Sequence, residues 1–163
     1  MIALVNELLS QKVQAIKPSG IRKFFDIAAT MQDVISLGVG EPDFPTPEVI
    51  REAGIRSIVE KGTRYTSNSG LLELRQAISR YLASRFQVEY NPENQILITV
   101  GGSEAVDLAL RALINPGDEV LVPEPTYVSY GPMTIMAGGG PGPLPTYGKD
   151  EFRLTAGALQ PLV

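Results

Sequence analysis

Apolar positions change their spacing several times along the chain, and each change marks an element. Ile21, Phe24, Phe25, Ala28 and Met31 recur at helical intervals behind Ser19, a suitable cap, and predict a helix through Met31. Residues 34–37 read as a short strand. Thr46 and Pro47 supply a cap and a first helical position, followed by the imperfect apolar face of Val49, Ile50, Ala53 and Ile58 and a stop at Gly62. A longer helix over 71–86 keeps Leu71, Leu74, Ile78, Tyr81, Leu82 and Phe86 in register. The spacing then contracts. Residues 95–100 lean toward β-branched side chains and predict a strand, which stops at Gly101-Gly102-Ser103-Glu104-Ala105 and gives way at once to a helical pattern through Leu113. Asn115-Pro116-Gly117-Asp118 places proline and glycine at the central positions of a type II turn and returns the chain to a second strand, 119–122.

Past that strand the pattern fades. Gly138-Gly139-Gly140-Pro141-Gly142-Pro143 is poor strand material and reads as a loop within the domain, so a third parallel strand is not expected there. Thr155 can cap a last helix toward Leu162, kept short by Gly157 and Pro161.

Composition removes several classes of function. Of the 163 residues 44% are hydrophobic and 20% charged, an ordinary globular balance, and at this length a domain can bury about 68–70% of its unfolded surface. A net charge of −4 offers no footprint for nucleic acid or for an anionic membrane. With no cysteine and no histidine, disulfides, zinc sites and histidine bases are excluded, and no metal site is expected. Asn6, Glu7, Gln11 and Lys12 interrupt the N-terminal apolar positions, and no apolar run approaches the ~20 residues of a membrane span. A cytoplasmic location is the expectation.

The candidate chemistry sits at the strand ends. Gly101 and Gly102 let a backbone approach a ligand closely, Ser103 can cap the helix and offer a hydroxyl, and the unpaired N–H groups of the first turn favour an anion such as phosphate. A strand-to-helix turn also needs glycine for steric reasons alone, and the two readings coexist at this point. After the second strand, Pro123-Glu124-Pro125-Thr126-Tyr127 delivers an aromatic ring. Ligands of open α/β sheets bind at the carboxyl ends of strands, so a phosphate cradle and a ring can meet there. Gly38-Val39-Gly40 is no dinucleotide fingerprint, because Pro42 and Asp43 follow where a helix start and a third glycine belong, and no Walker motif occurs.

Four segments in order carry a family resemblance: Ile35 to Phe44 with Gly38-Val39-Gly40-Glu41-Pro42-Asp43, Arg64 to Arg75 with Tyr65 and Gly70, the Gly101-Gly102-Ser103-Glu104-Ala105 loop, and Pro125-Thr126-Tyr127-Val128-Ser129-Tyr130. Together they resemble the first part of a class I/II aminotransferase, a pyridoxal-phosphate enzyme of fold type I, over essentially the whole chain. The resemblance implies an α/β fold made of an N-terminal arm and small-domain segment, 1–45, and a partial large cofactor-binding domain, 46–163, with an incomplete α/β/α sheet. It implies that the strand at 95–100 lies at one side of that sheet and the strand at 119–122 well away from it. It also implies a homodimer that moves an amino group between an amino acid and a 2-oxo acid.

The same resemblance suggests roles for residues. Gly102 and Ser103 correspond to the cradle of the pyridoxal 5'-phosphate phosphate, Tyr127 to the residue on the face of the pyridine ring, Tyr65 to the tyrosine that reaches the cofactor phosphate of the neighbouring subunit, and Gly40 to the glycine whose backbone meets the substrate carboxylate. The family's later landmarks, among them the Schiff-base lysine, are not recognisable; Lys12, Lys17, Lys23, Lys61 and Lys149 read as surface lysines, so no catalytic residue is assigned. The expectation is an N-terminal fragment of an aminotransferase, inactive alone and prone to aggregate. The alternative is a noncatalytic cofactor-binding or dimerisation module, half of a split protein.

Overall fold

The structure is a computed structural model that describes residues 8–35 and 42–162. Its contacts gather residues 21–99 into one unit and residues 1–20 with 100–163 into another.

Among the described residues the first unit holds three α-helices: α2, Ile21–Ala29; α3, Glu48–Arg56; and α4, Leu72–Phe86 (α1, Gln11–Ala15, belongs to the other unit). The expected apolar face of α2 is covered only in part among the described residues: Phe25 and Ala28 are half-buried, whereas Phe24 and Met31 are 73% and 58% exposed. The strand expected at 34–37 is absent from Val34 and Ile35, and its other two residues lie outside the described residues. α3 begins one residue later than Thr46 and Pro47 suggested, because Pro47 is itself the cap in an extended conformation and offers no side-chain bond. The helix continues as a π turn, Ser57–Lys61, and closes at Gly62 as expected.

α4 matches the expected helix to within one residue and ends at Gln87 in the left-handed conformation. Its Arg75 is buried, and the guanidinium donates to the carbonyls of Pro92 and Glu93 at 2.5 and 3.0 Å. Ser79 donates to the Tyr90 carbonyl at 2.6 Å, so two polar side chains of one helix fasten the loop after it. From that loop residues 96–99 run on without a strand ladder, which corrects the strand expected at 95–100. A ladder needs a neighbour, and none pairs with this run among the described residues; the Ile98 N–H bonds instead to the Ser69 carbonyl at 3.1 Å.

In the second unit α1, Gln11–Ala15, is capped by Ser10 and packs on the helix at Tyr130–Ala137, α6, where Lys12 Nζ reaches the Met136 carbonyl at 3.4 Å. α5, Gly101–Leu113, leads through the expected turn, with Asp118 N–H bonded to the Asn115 carbonyl at 3.1 Å, into β1, Glu119–Glu124. α6, Tyr130–Ala137, crosses to β2, Gly140–Pro145, which pairs parallel with β1 so that Glu119 lies opposite Gly140 and Glu124 opposite Pro145. A short α7, Ala156–Leu159, follows Thr155, whose hydroxyl caps it as expected.

β2 overturns the loop expected over 138–143. In a parallel ladder alternate residues turn their N–H groups toward the partner, and here the donors are at even positions, with Gly140 bonded to Asp118 and Thr146 to Glu124, both at 2.8 Å. Pro141, Pro143 and Pro145 therefore fall at positions whose N–H would point away from β1, where proline removes nothing the ladder uses. Val122 and Leu144, 7% and 3% exposed, are the buried apolar residues among those described. Among the described residues, large apolar side chains such as Ile35, Phe44 and Val100 are 89%, 84% and 90% exposed, so much apolar surface has no cover there.

Candidate functional site

Geometry at the start of α5 is set by where the helix begins. Gly101, with φ of +79°, makes the turn out of the extended run, and Val100 is the cap residue. Ser103 was expected as the cap; it is instead the third helical residue, and the carboxylate of Glu104 reaches back to accept from the Val100 N–H. The cap residue Val100 makes no side-chain bond to the first turn, and the N–H groups of Gly102 and Ser103 are placed to meet another acceptor. A Cβ placed on Gly102 would meet no atom within 4 Å, which leaves open space in front of this backbone. Two N–H donors, a hydroxyl and the positive end of a 13-residue helix fit a dianionic phosphate.

Tyr127 stands just beyond β1. The hydroxyls of Ser129 and Ser103 stand near its phenol, where they favour the phenolate and hold its pKa below the ordinary tyrosine value, while desolvation opposes them. The ring packs edge-on against Tyr130 with centroids 5.5 Å apart and planes at 79°, and 53% of the residue is exposed. Beside it lies a cleft of about 770 Å³ walled by Val122, Tyr127, Pro141, Pro143 and Pro145. The structure thus places Ser103 near Tyr127, although no strand leads into the first of them. Sequence reasoning missed Glu104 and Ser129, although both stand in the quoted segments; a carboxylate one turn into a helix was the available signal for the first.

Tyr65 belongs to the other unit. Its side chain is fully exposed and borders a cleft of about 450 Å³ shared with Ser57, Glu60, Arg64 and Thr66. Gly40 lies outside the described residues. Among the described residues no cluster of histidine, cysteine or carboxylates is placed to hold a metal ion, and no helix is long and apolar enough to cross a membrane.

Residues 32–163 match the family of aminotransferases of class I and II. The chain belongs to this family. A putative aminotransferase, YugH, of Bacillus subtilis is 53% identical over 155 residues, covering 95% of the chain and 40% of the relative. An aspartate aminotransferase of Pyrococcus abyssi is 45% identical over 155 residues, with the same coverage. Among solved structures, an aspartate aminotransferase of Thermotoga maritima superposes with a TM-score of 0.89 at 33% identity, over 95% of this chain and 42% of that one. The chain therefore spans about 40% of the length of the class I and II aminotransferases it matches. What it holds of their fold is a partial α/β arrangement with a small parallel sheet.

Proposed function

We propose that this chain forms the cofactor-anchoring part of a pyridoxal-phosphate-dependent aminotransferase, which moves an amino group between an amino acid and a 2-oxo acid. The observation that carries the reading is the meeting of Ser103, in the first turn of α5, with Tyr127, just past β1. A phosphate at the α5 N-terminus accepts from the N–H groups of Gly102 and Ser103, and the Ser103 hydroxyl, its single proton turned from the Tyr127 phenol to the phosphate, supplies a further donor. Tyr127 then offers its ring face to a planar heterocycle and limits the heterocycle's tilt. Bound there, pyridoxal phosphate supplies the electron-withdrawing ring on which amino-group transfer depends. Tyr65 contributes a phenolic donor to the phosphate held by a second copy of the chain, and the Gly40 backbone meets the substrate carboxylate. The protein works as a cytoplasmic homodimer. Proton transfer at the substrate Cα is assigned to none of the five lysines in the chain.

Joining residues 1–163 to the remainder of the Bacillus subtilis relative tests the reading. The expected product retains pyridoxal phosphate and transaminates amino acid and 2-oxo acid pairs. A folded dimer that retains no cofactor refutes it. The noncatalytic module is not favoured, since the relatives named above are aminotransferases.

A further inference from the structure

The Tyr65 ring is fully exposed, so no packing holds it and its position comes from the backbone that carries it. That backbone is tied down a few residues on. Thr66 Oγ1 donates to the Ser67 carbonyl at 2.9 Å, the Gly70 N–H closes a turn onto the Ser67 carbonyl at 2.9 Å, and Ser67 Oγ donates to the Gly70 carbonyl at 2.7 Å. The turn is then seated on the extended run before α5, where the Ser69 carbonyl accepts the Ile98 N–H at 3.1 Å.

Gly70 is what permits the seat. Its φ is +90°, and a Cβ there would stand 2.6 Å from both Cβ and Cγ1 of Ile98. Such a distance cannot be relieved by a small rotation, because Ile98 is β-branched and stiff about χ1 and the clash falls on atoms next to its backbone. Any side chain at position 70 must therefore lift the turn off Ile98 or unseat Ile98 itself, and it meets left-handed backbone strain besides.

We propose that Gly70 is a positioning residue for Tyr65: its bare Cα, seated on Ile98, fixes the backbone that presents the phenol to a phosphate bound by a second copy of the chain. This rests on the phosphate role proposed for Tyr65. The seat acts on phosphate affinity and leaves recognition of the rest of the ligand alone.

The test uses the full-length chimera described above, freed of cofactor, and a probe that cannot form a Schiff base, 4'-deoxypyridoxine 5'-phosphate, against its unphosphorylated counterpart. Tyr65→Phe and Gly70→Ala are each expected to weaken the phosphorylated probe about tenfold or more, the scale of one hydrogen bond to a charged group. The double variant should be no weaker than the worse single, and the unphosphorylated probe should be unaffected. Independent factors in the double variant, or a Gly70→Ala protein that binds normally, overturn the proposal while leaving the Tyr65 role standing. Unchanged binding in Tyr65→Phe overturns the Tyr65 role and the proposal with it. If Gly70→Ala does not fold, Ile98→Ala removes the seat without backbone strain and must show the same phosphate-selective loss; normal binding there is equally fatal.

Discussion

The Ser103 hydroxyl stands near the Tyr127 phenol, which places the first turn of α5 beside the segment that leaves β1. Ser129 adds a second hydroxyl to the same phenol. Both stabilise the phenolate, so removing either must raise the tyrosine pKa toward its usual value of about 10. Ser129→Ala should raise it more than Ser103→Ala, since Ser129 is the larger influence. Tyrosine-labelled NMR titration, with Tyr127→Phe identifying the signal, reads this directly, and an unmoved titration in both variants refutes the pairing.

Filling the cradle and stripping its hydroxyl are separable. Gly102 faces open space, so Gly102→Val leaves the fold intact while placing a branched side chain where the phosphate must lie. Ser103→Ala removes one donor and keeps two N–H groups. In the full-length chimera the valine variant should therefore lose cofactor affinity by about 100-fold or more and the alanine variant by about tenfold, on the scale of one charged hydrogen bond. Equal and negligible losses in equilibrium dialysis would falsify the cradle.

The 163-residue chain by itself is expected to show no transamination and no borohydride-fixed cofactor on Lys12, Lys17, Lys23, Lys61 or Lys149. Lys12, the one of these with a described tertiary contact, is turned to the Met136 carbonyl at the end of α6. Mass spectrometry after reduction with pyridoxal phosphate settles the point: a stoichiometric adduct on any single lysine contradicts the assignment.

What the sequence disclosed and what it concealed divide along physical lines. Features fixed by neighbours in the chain were legible, as with the periodicity of α4, the Asn115–Asp118 turn and the entry into β1. β2 was hidden because prolines at alternate positions are tolerable or ruinous according to which way those positions face, and that depends on a partner's register. The run at 96–99 erred in the opposite direction: its residue types suit a strand, but a strand exists only where something pairs with it. Within the site, glycine and serine suggested an anion cradle, yet the cap lies three residues before Ser103, at Val100, whose N–H is met by the Glu104 carboxylate.

The prolines of β2 bear on how the isolated chain associates. Its outward edge lacks N–H donors at Pro141, Pro143 and Pro145, so it cannot template another strand, whereas the outward edge of β1 still carries the N–H groups of Glu119 and Leu121. Strand-to-strand association of the isolated chain should therefore run through β1. Leu121→Pro removes a donor from that edge and should slow aggregation at neutral pH, while Pro143→Val restores a donor to the β2 edge and should speed it, each by several-fold in light-scattering half-times. Hydrogen exchange supplies the independent check. The amides of Gly142 and Leu144, inside the ladder, should be protected in the monomer, and those of Ile96 and Leu97 should exchange freely, because no described acceptor meets them. Strong protection at Ile96 and Leu97 in a monomer, or aggregation indifferent to both proline changes, would show that the open edge of β1 does not govern how this chain associates.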